Sequence, residues 1–103
     1  MRKTTIYFGR DIVWPDGSKD YVDDISWNGF LKEVVDKNFD GYTYREVFGS
    51  WKGNIEDSFE LVIIHEVAYE NASKITDIAE TYKRLFNQEA ILIEFIEIQT
   101  VTI

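Results

Sequence analysis

The chain of 103 residues has no cysteine, one proline, one histidine and one methionine. Without cysteine there is no disulfide framework and no thiolate metal site, which fits a reducing compartment. A single histidine, and acids without a calcium-loop spacing, leave no ligand set for a metal, so neither a metal nor another cofactor is expected. Basic residues are scarce too: 11 Lys and Arg stand against 19 Asp and Glu, a formal net charge of −8. Such a body repels a polyanion, so duplex nucleic acid is not an expected partner. No apolar run approaches the ~20 residues of a membrane span. The residues from Met1 to Thr5 lead into a strand-like segment with no signal-peptide pattern, so the expected location is cytoplasmic.

Apolar mass is plentiful. Hydrophobic residues make up 45% and aromatic residues 16%. That is enough to close one core, and the length fits one domain over residues 1–103. Thr4-Thr5-Ile6-Tyr7-Phe8-Gly9 is a β-branched and aromatic run ended by glycine, a strand. Asp11 to Asp23 holds Trp14-Pro15-Asp16-Gly17 and reads as a loop. Asp24 is placed to cap a helix in which Trp27, Phe30, Leu31, Val34 and Val35 form an apolar stripe ending near Lys37. Tyr42 to Lys52 alternates as a strand, with Arg45 and Trp51 on one face and a bend or bulge at Gly49. Gly53 to Asp57 is a hairpin connection, and Phe59 to Ala68 the next strand. A second helix, capped by Asn71 or Ser73, carries Ile75, Ile78, Ala79, Tyr82, Leu85 and Phe86. Ala90 to Ile103 is a long last strand.

This order, βαββαβ, is the α+β ferredoxin-like arrangement: a four-stranded antiparallel sheet with two helices on one face, first and third strands central. A sheet wet on one side should alternate apolar and polar. Leu61-Val62-Ile63-Ile64 and Ile91-Leu92-Ile93, followed by Phe95, Ile96 and Ile98, do not. The helix-free face therefore needs a cover for Ile63, Phe95 and their neighbours, and a second copy of the chain is the expected one, giving a homodimer or higher homo-oligomer.

Tyr7-Phe8-Gly9-Arg10, Trp27-x-x-Phe30, Gly41-Tyr42-Thr43, Gly49-x-Trp51 and Tyr82-Lys83-Arg84-x-Phe86-x-Gln88-Glu89 follow one another in the order of a small bacterial family, domain-of-unknown-function family 3574, which the chain resembles from Ile6 to Glu94. The resemblance brings no activity with it. Many members of that family resemble secreted or lipid-anchored proteins. A leaderless acidic version is similar in style to small phage-encoded proteins, so the expected host is a bacterium or a phage-infected bacterium.

No strong catalytic motif is present. Gly49-Ser50-Trp51-Lys52-Gly53 matches neither phosphate-binding fingerprint, and no nucleophile elbow is found. His65 is the one candidate base, but it shares a strand face with Phe59, Leu61 and Ile63. Tyr7, Arg10, Arg45, Trp51, Lys83, Arg84 and Gln88 supply aromatic plates and basic or amide groups of the kind that hold a small anionic, nucleotide-like ligand. The leading expectation is thus a non-catalytic binding or assembly module, of the kind a phage would use to sequester a nucleotide. Two rivals stand beside it. One is a dimeric α+β-barrel enzyme, similar to cofactor-free monooxygenases and isomerases, using His65 with Tyr7 or Tyr44. The other is an acidic decoy docking on a basic protein, its densest acids being Asp16, Asp20, Asp23 and Asp24.

Overall fold

In a computed structural model covering residues 1–103, six strands and two helices follow the expected α+β order, with one small hairpin added. The strands are β1 (Arg2–Gly9), β2 (Asp11–Val13), β3 (Lys19–Tyr21), β4 (Thr43–Trp51), β5 (Asn54–His65) and β6 (Leu92–Glu97). The helices are α1 (Asp24–Phe30), which continues as a π-helical turn over Leu31–Val35, and α2 (Tyr69–Leu85). The main sheet has the order β4-β5-β1-β6, antiparallel throughout, so β1 and β5 are central. No helix is long and apolar enough to cross a membrane.

Asp23, one residue earlier than the sequence suggests, is the N-cap of α1: its side chain accepts from the Ser26 amide at 2.7 Å. Asp24 is left free to face Arg10 instead. The apolar stripe of α1 then buries Trp27, Phe30, Leu31 and Val35. The π-turn, closed by Asp36 N–H on the Leu31 carbonyl at 2.8 Å, rotates the last apolar residues onto the core. Helix α2 starts without a side-chain cap. Asn71 uses its amide on the Glu66 carbonyl at 2.9 Å, behind the helix start, and Ser73 makes no cap bond.

The core lies between the helices and one sheet face. Ile6, Phe8, Phe59, Leu61 and Ile63 meet Trp27, Phe30, Ile75, Ile78 and Tyr82. Its centre is aromatic. Trp27 stacks on Phe59 at 4.2 Å and 8°, and Phe8 meets Tyr82 at 4.5 Å.

Several expectations are corrected. The segment Asp11–Asp23 is not an open loop: β2 and β3 pair through Ile12↔Asp20, and Ile12 and Val22 enter the core. Gly49 marks no bulge, because the β4–β5 register runs unbroken from Thr43↔Val62 to Trp51↔Asn54. The hairpin connection is the two-residue turn Lys52-Gly53, both at positive φ (50° and 80°), which matches the twist of the strands; β5 therefore begins at Asn54. The last strand stops at Glu97, where β1 runs out of partners. Ile63 is fully buried under the helices. Phe95 also lies on the helix side, opposite Thr4, but beyond the helices' reach and under the Arg2 guanidinium.

The face without helices carries Lys3, Thr5 and Tyr7 of β1, Val62 and Ile64 of β5, and Leu92, Glu94 and Ile96 of β6. Ile64, Leu92 and Ile96 are exposed there, and Val62 is half-buried.

Candidate functional site: an acidic cleft at one end of the sheet

Arg10 follows the last residue of β1 and is 4% exposed. A buried guanidinium needs partners for its charge and its donors, and Arg10 has them. Nε donates to the Val22 carbonyl at 2.9 Å, Nη1 to Glu46, and Nη2 to Asp24 at 3.2 Å. Asp57 lies 3.9 Å from Nη1. The Tyr21 and Phe59 rings sandwich the cation, each centroid 4.4 Å from Cζ. Arg10 is therefore a committed structural cation, and two clefts open on either side of it.

The smaller cleft, about 520 Å³, lies on the helix side between Tyr21, Asp24, Asn28, Tyr44 and Glu46. The larger, about 1080 Å³, lies at the β1 exit. Its floor is the helix-free face: Tyr7, Val47, Gly49, Ser58, Glu60 and Leu92. Its wall is made by Val13-Trp14-Pro15 and by Asn87-Gln88-Glu89-Ala90. Those two segments are tied together. Asn87 donates to the Val13 carbonyl at 2.6 Å, and Gln88 to the Asp11 carbonyl at 3.0 Å. Gln88 also lies close to Gly9: a Cβ there would sit 2.9 Å from the Gln88 amide oxygen, which would have to shift.

The charge of this cleft is one-sided. Asp11, Glu56, Asp57, Glu60 and Glu89 line it against Arg10 alone. Asp57 accepts from the Tyr21 hydroxyl at 2.6 Å through Oδ2, while Oδ1 is buried with no partner. The carboxylate partner holds the Tyr21 phenol protonated and pushes its pKa up to about 12. At the far edge, the Tyr7 hydroxyl donates to Glu94 at 2.7 Å, and this bond first, with burial second, raises its pKa to about 12.

The sequence candidates are thus distributed. Tyr7, Arg10 and Gln88 line the larger cleft. Arg45 stands beside it on the helix-free face, paired with Glu60 at 3.1 Å. Trp51 is exposed at the hairpin tip. Lys83 and Arg84 are exposed in the last turn of α2 and line neither cleft, a placement that suits the helix dipole. His65 is packed beside Phe39, with Nε2 2.7 Å from the Thr4 hydroxyl and Nδ1 2.8 Å from the Glu66 carbonyl. Nδ1 can only donate to that carbonyl, so in the neutral ring Nε2 accepts from Thr4, and His65 lines neither cleft. Among the acids of the proposed decoy surface, Asp23 caps α1, Asp24 holds Arg10 and Asp16 binds Ser18. Trp14, Asp57, Glu60 and Glu89 were not singled out by the sequence. They come from three separate segments, Asp57 and Glu60 both from β5, and only the topology gathers them.

The family model described as "Protein of unknown function (DUF3574)" matches residues 3–100. No curated protein matches the chain. Among solved structures, a phage SAM lyase in its apo state superposes with a TM-score of 0.66 at 16% identity, over 91% of this chain and 78% of the other. A phage SAM lyase in complex with S-methyl-5'-thioadenosine superposes with a TM-score of 0.56, also at 16% identity, over 93% and 80%. At that identity the likeness is one of fold.

Proposed function

This chain belongs to the DUF3574 family, and we propose that it is a binding module for a small nucleoside-like ligand, held in the larger cleft and carrying positive charge. The single observation behind this reading is the surplus of carboxylates over Arg10 in a cleft with apolar and aromatic walls. The same fact supports a charge preference opposite to the one expected from the sequence. A phosphate would face Glu56 and Glu89, while Arg45 is taken up by Glu60 and Arg10 has its charge already matched. A cation would meet those carboxylates, with Tyr7, Trp14 and Leu92 offering faces to a planar base. A protein of similar fold was solved with a nucleoside, S-methyl-5'-thioadenosine, and is described as acting on SAM, whose sulfonium is cationic. We carry the ligand class over, and not the activity, because fold does not fix chemistry.

The helix-free face, with Val62, Ile64, Leu92 and Ile96 set around Lys3, Thr5 and Glu94, runs on from the cleft floor. We propose that a second copy covers it, giving the homodimer that the sequence led us to expect. The barrel-enzyme reading loses its base, since His65 is enclosed by Thr4, Phe39 and the Glu66 carbonyl.

Equilibrium dialysis against SAM tests the proposal. The expected result is depletion of free SAM and its intact recovery after denaturation. No depletion would sink the binding reading, and recovery as cleaved products would make the protein an enzyme.

A further inference from the structure

Gln88 is fixed through both its backbone and its side chain. Helix α2 ends as Asn87 turns to a positive φ of 47°, a conformation that asparagine accepts more readily than most residues. The Gln88 backbone N–H then bonds back to the Lys83 carbonyl at 2.9 Å, closing a Schellman motif. In the side chain, Nε2 spends its two hydrogens on the Asp11 and Phe86 carbonyls, each at 3.0 Å. The reversed amide would set Oε1 against two carbonyl oxygens, so its orientation follows from the chemistry of the group. Oε1 is left with no partner in the chain. Unlike Asp57 Oδ1 and Trp27 Nε1, it is not sealed from solvent, and Gln88 lines the larger cleft.

Phe8 points into the core, so its neighbours Tyr7 and Gly9 share the helix-free face. A Cβ on Gly9 would lie 2.9 Å from Oε1, which sets the oxygen above Gly9 at the cleft floor. Tyr7 stands two residues away on that face, ~6.6 Å along the strand. Ser58 is the partner of Gly9 across the ladder, and it lines the same cleft.

We infer that Gln88 Oε1 reads the base of the ligand. It accepts from an exocyclic amine, so the cleft takes adenine and turns away the oxo counterpart, hypoxanthine. The inference rests on the binding reading above and adds the residue that selects the base. The cleft carboxylates answer the ligand's positive charge. Oε1 is neutral and only accepts, which suits a neutral N–H donor. An oxo group in the same place would bring two acceptors together, beside an amide whose two ties keep it from turning. Ser58 does not discriminate in this way, since a hydroxyl changes role by rotating. The acceptor is also in place before the ligand arrives, so binding needs little ordering there.

Equilibrium dialysis of the full chain against SAM, and against the SAM analogue with hypoxanthine in place of adenine, tests this. The two probes share the sulfonium, the ribose and the ammonium group, and differ only at the purine. The wild type is expected to bind the hypoxanthine analogue about tenfold or more weakly, the cost of an unmet polar pair. Gln88→Met, close in length and without the acceptor, should bind the two probes alike. Gly9→Ala, whose methyl group must push Oε1 aside, should lessen the preference with unchanged circular dichroism, and it carries the test if Gln88→Met does not fold. Equal binding of the two probes by the wild type would overturn the inference alone, and would assign Oε1 to the ligand's ammonium group or to water. A full preference kept by folded Gln88→Met, or by Gly9→Ala where that variant carries the test, would overturn it as well. Binding of neither probe by the wild type would sink the binding reading, and the inference with it.

Discussion

Arg10 and Val22 are bonded to each other twice. The Val22 amide donates to the Arg10 carbonyl at 2.8 Å, and Arg10 Nε donates to the Val22 carbonyl at 2.9 Å. This reciprocal pair pins the β2–β3 hairpin to the end of β1. It brings Tyr21 over the guanidinium and sets the start of α1 where Asp24 can reach Nη2. The wall between the two clefts is built on it.

Replacing Arg10 by Met should therefore act on stability. It leaves Glu46 and Asp57 without their cation and loosens the hairpin. Both carboxylates are partly solvated, so the expected loss is about 2–4 kcal/mol, toward the low side of a fully buried pair. Urea unfolding measures it. A loss below about 0.5 kcal/mol, the scale of an ordinary surface change, would show that the guanidinium is not the keystone described.

His65→Phe separates packing from chemistry. The ring volume is roughly kept, but the Thr4 hydroxyl, buried with His65, loses its acceptor. The cost should be about 1–3 kcal/mol. SAM uptake should not change, because His65 lines neither cleft. Abolished uptake in a folded variant would return His65 to the site.

Alkaline pH should unfold the protein through its phenols. Tyr7 and Tyr21, held first by carboxylate hydrogen bonds, and Tyr42, held first by burial and then by Asp36, are each raised to about 12. Burial raises Tyr82 as well, and its hydroxyl donates to the Gly9 carbonyl at 2.7 Å. A raised folded-state pKa means that the folded form retains the proton. The contribution to stability is whole below the ordinary value of 10.0 and is lost as pH climbs through about 12. Phenolate absorbance followed beside circular dichroism should show part of the tyrosine signal appearing late, together with unfolding. A single early titration of every tyrosine would contradict this.

The architecture was legible because its signals are local. Trp27, Phe30, Leu31 and Val35 recur at helical spacing, and Phe59, Leu61 and Ile63 alternate on a strand. The β2–β3 hairpin was not, because Asp11–Val13 and Lys19–Tyr21 are too short to show a period, and Arg10, which anchors it, reads from sequence as a ligand-holding cation. The cleft was hidden for a different reason. Asp11, Glu60 and Glu89 each look like solvated surface in their own segment, and only the pairing of β1 with β5 and the ties from Asn87 and Gln88 turn them inward together. The apolar residues of β5 and β6 do put Ile64, Leu92 and Ile96 on the helix-free face, beside Lys3, Tyr7 and Glu94, whereas Ile63 and Phe95 lie on the other face.

Calorimetric titration of the wild type and of Glu60→Gln with Glu89→Gln, using SAM and AMP in low salt, is the most direct measurement. SAM should bind the wild type, and neutralising two cleft carboxylates should weaken it about tenfold or more, as for close charge pairs. AMP, anionic at its phosphate, should not register. Heat evolved by AMP and none by SAM would contradict the account at its centre.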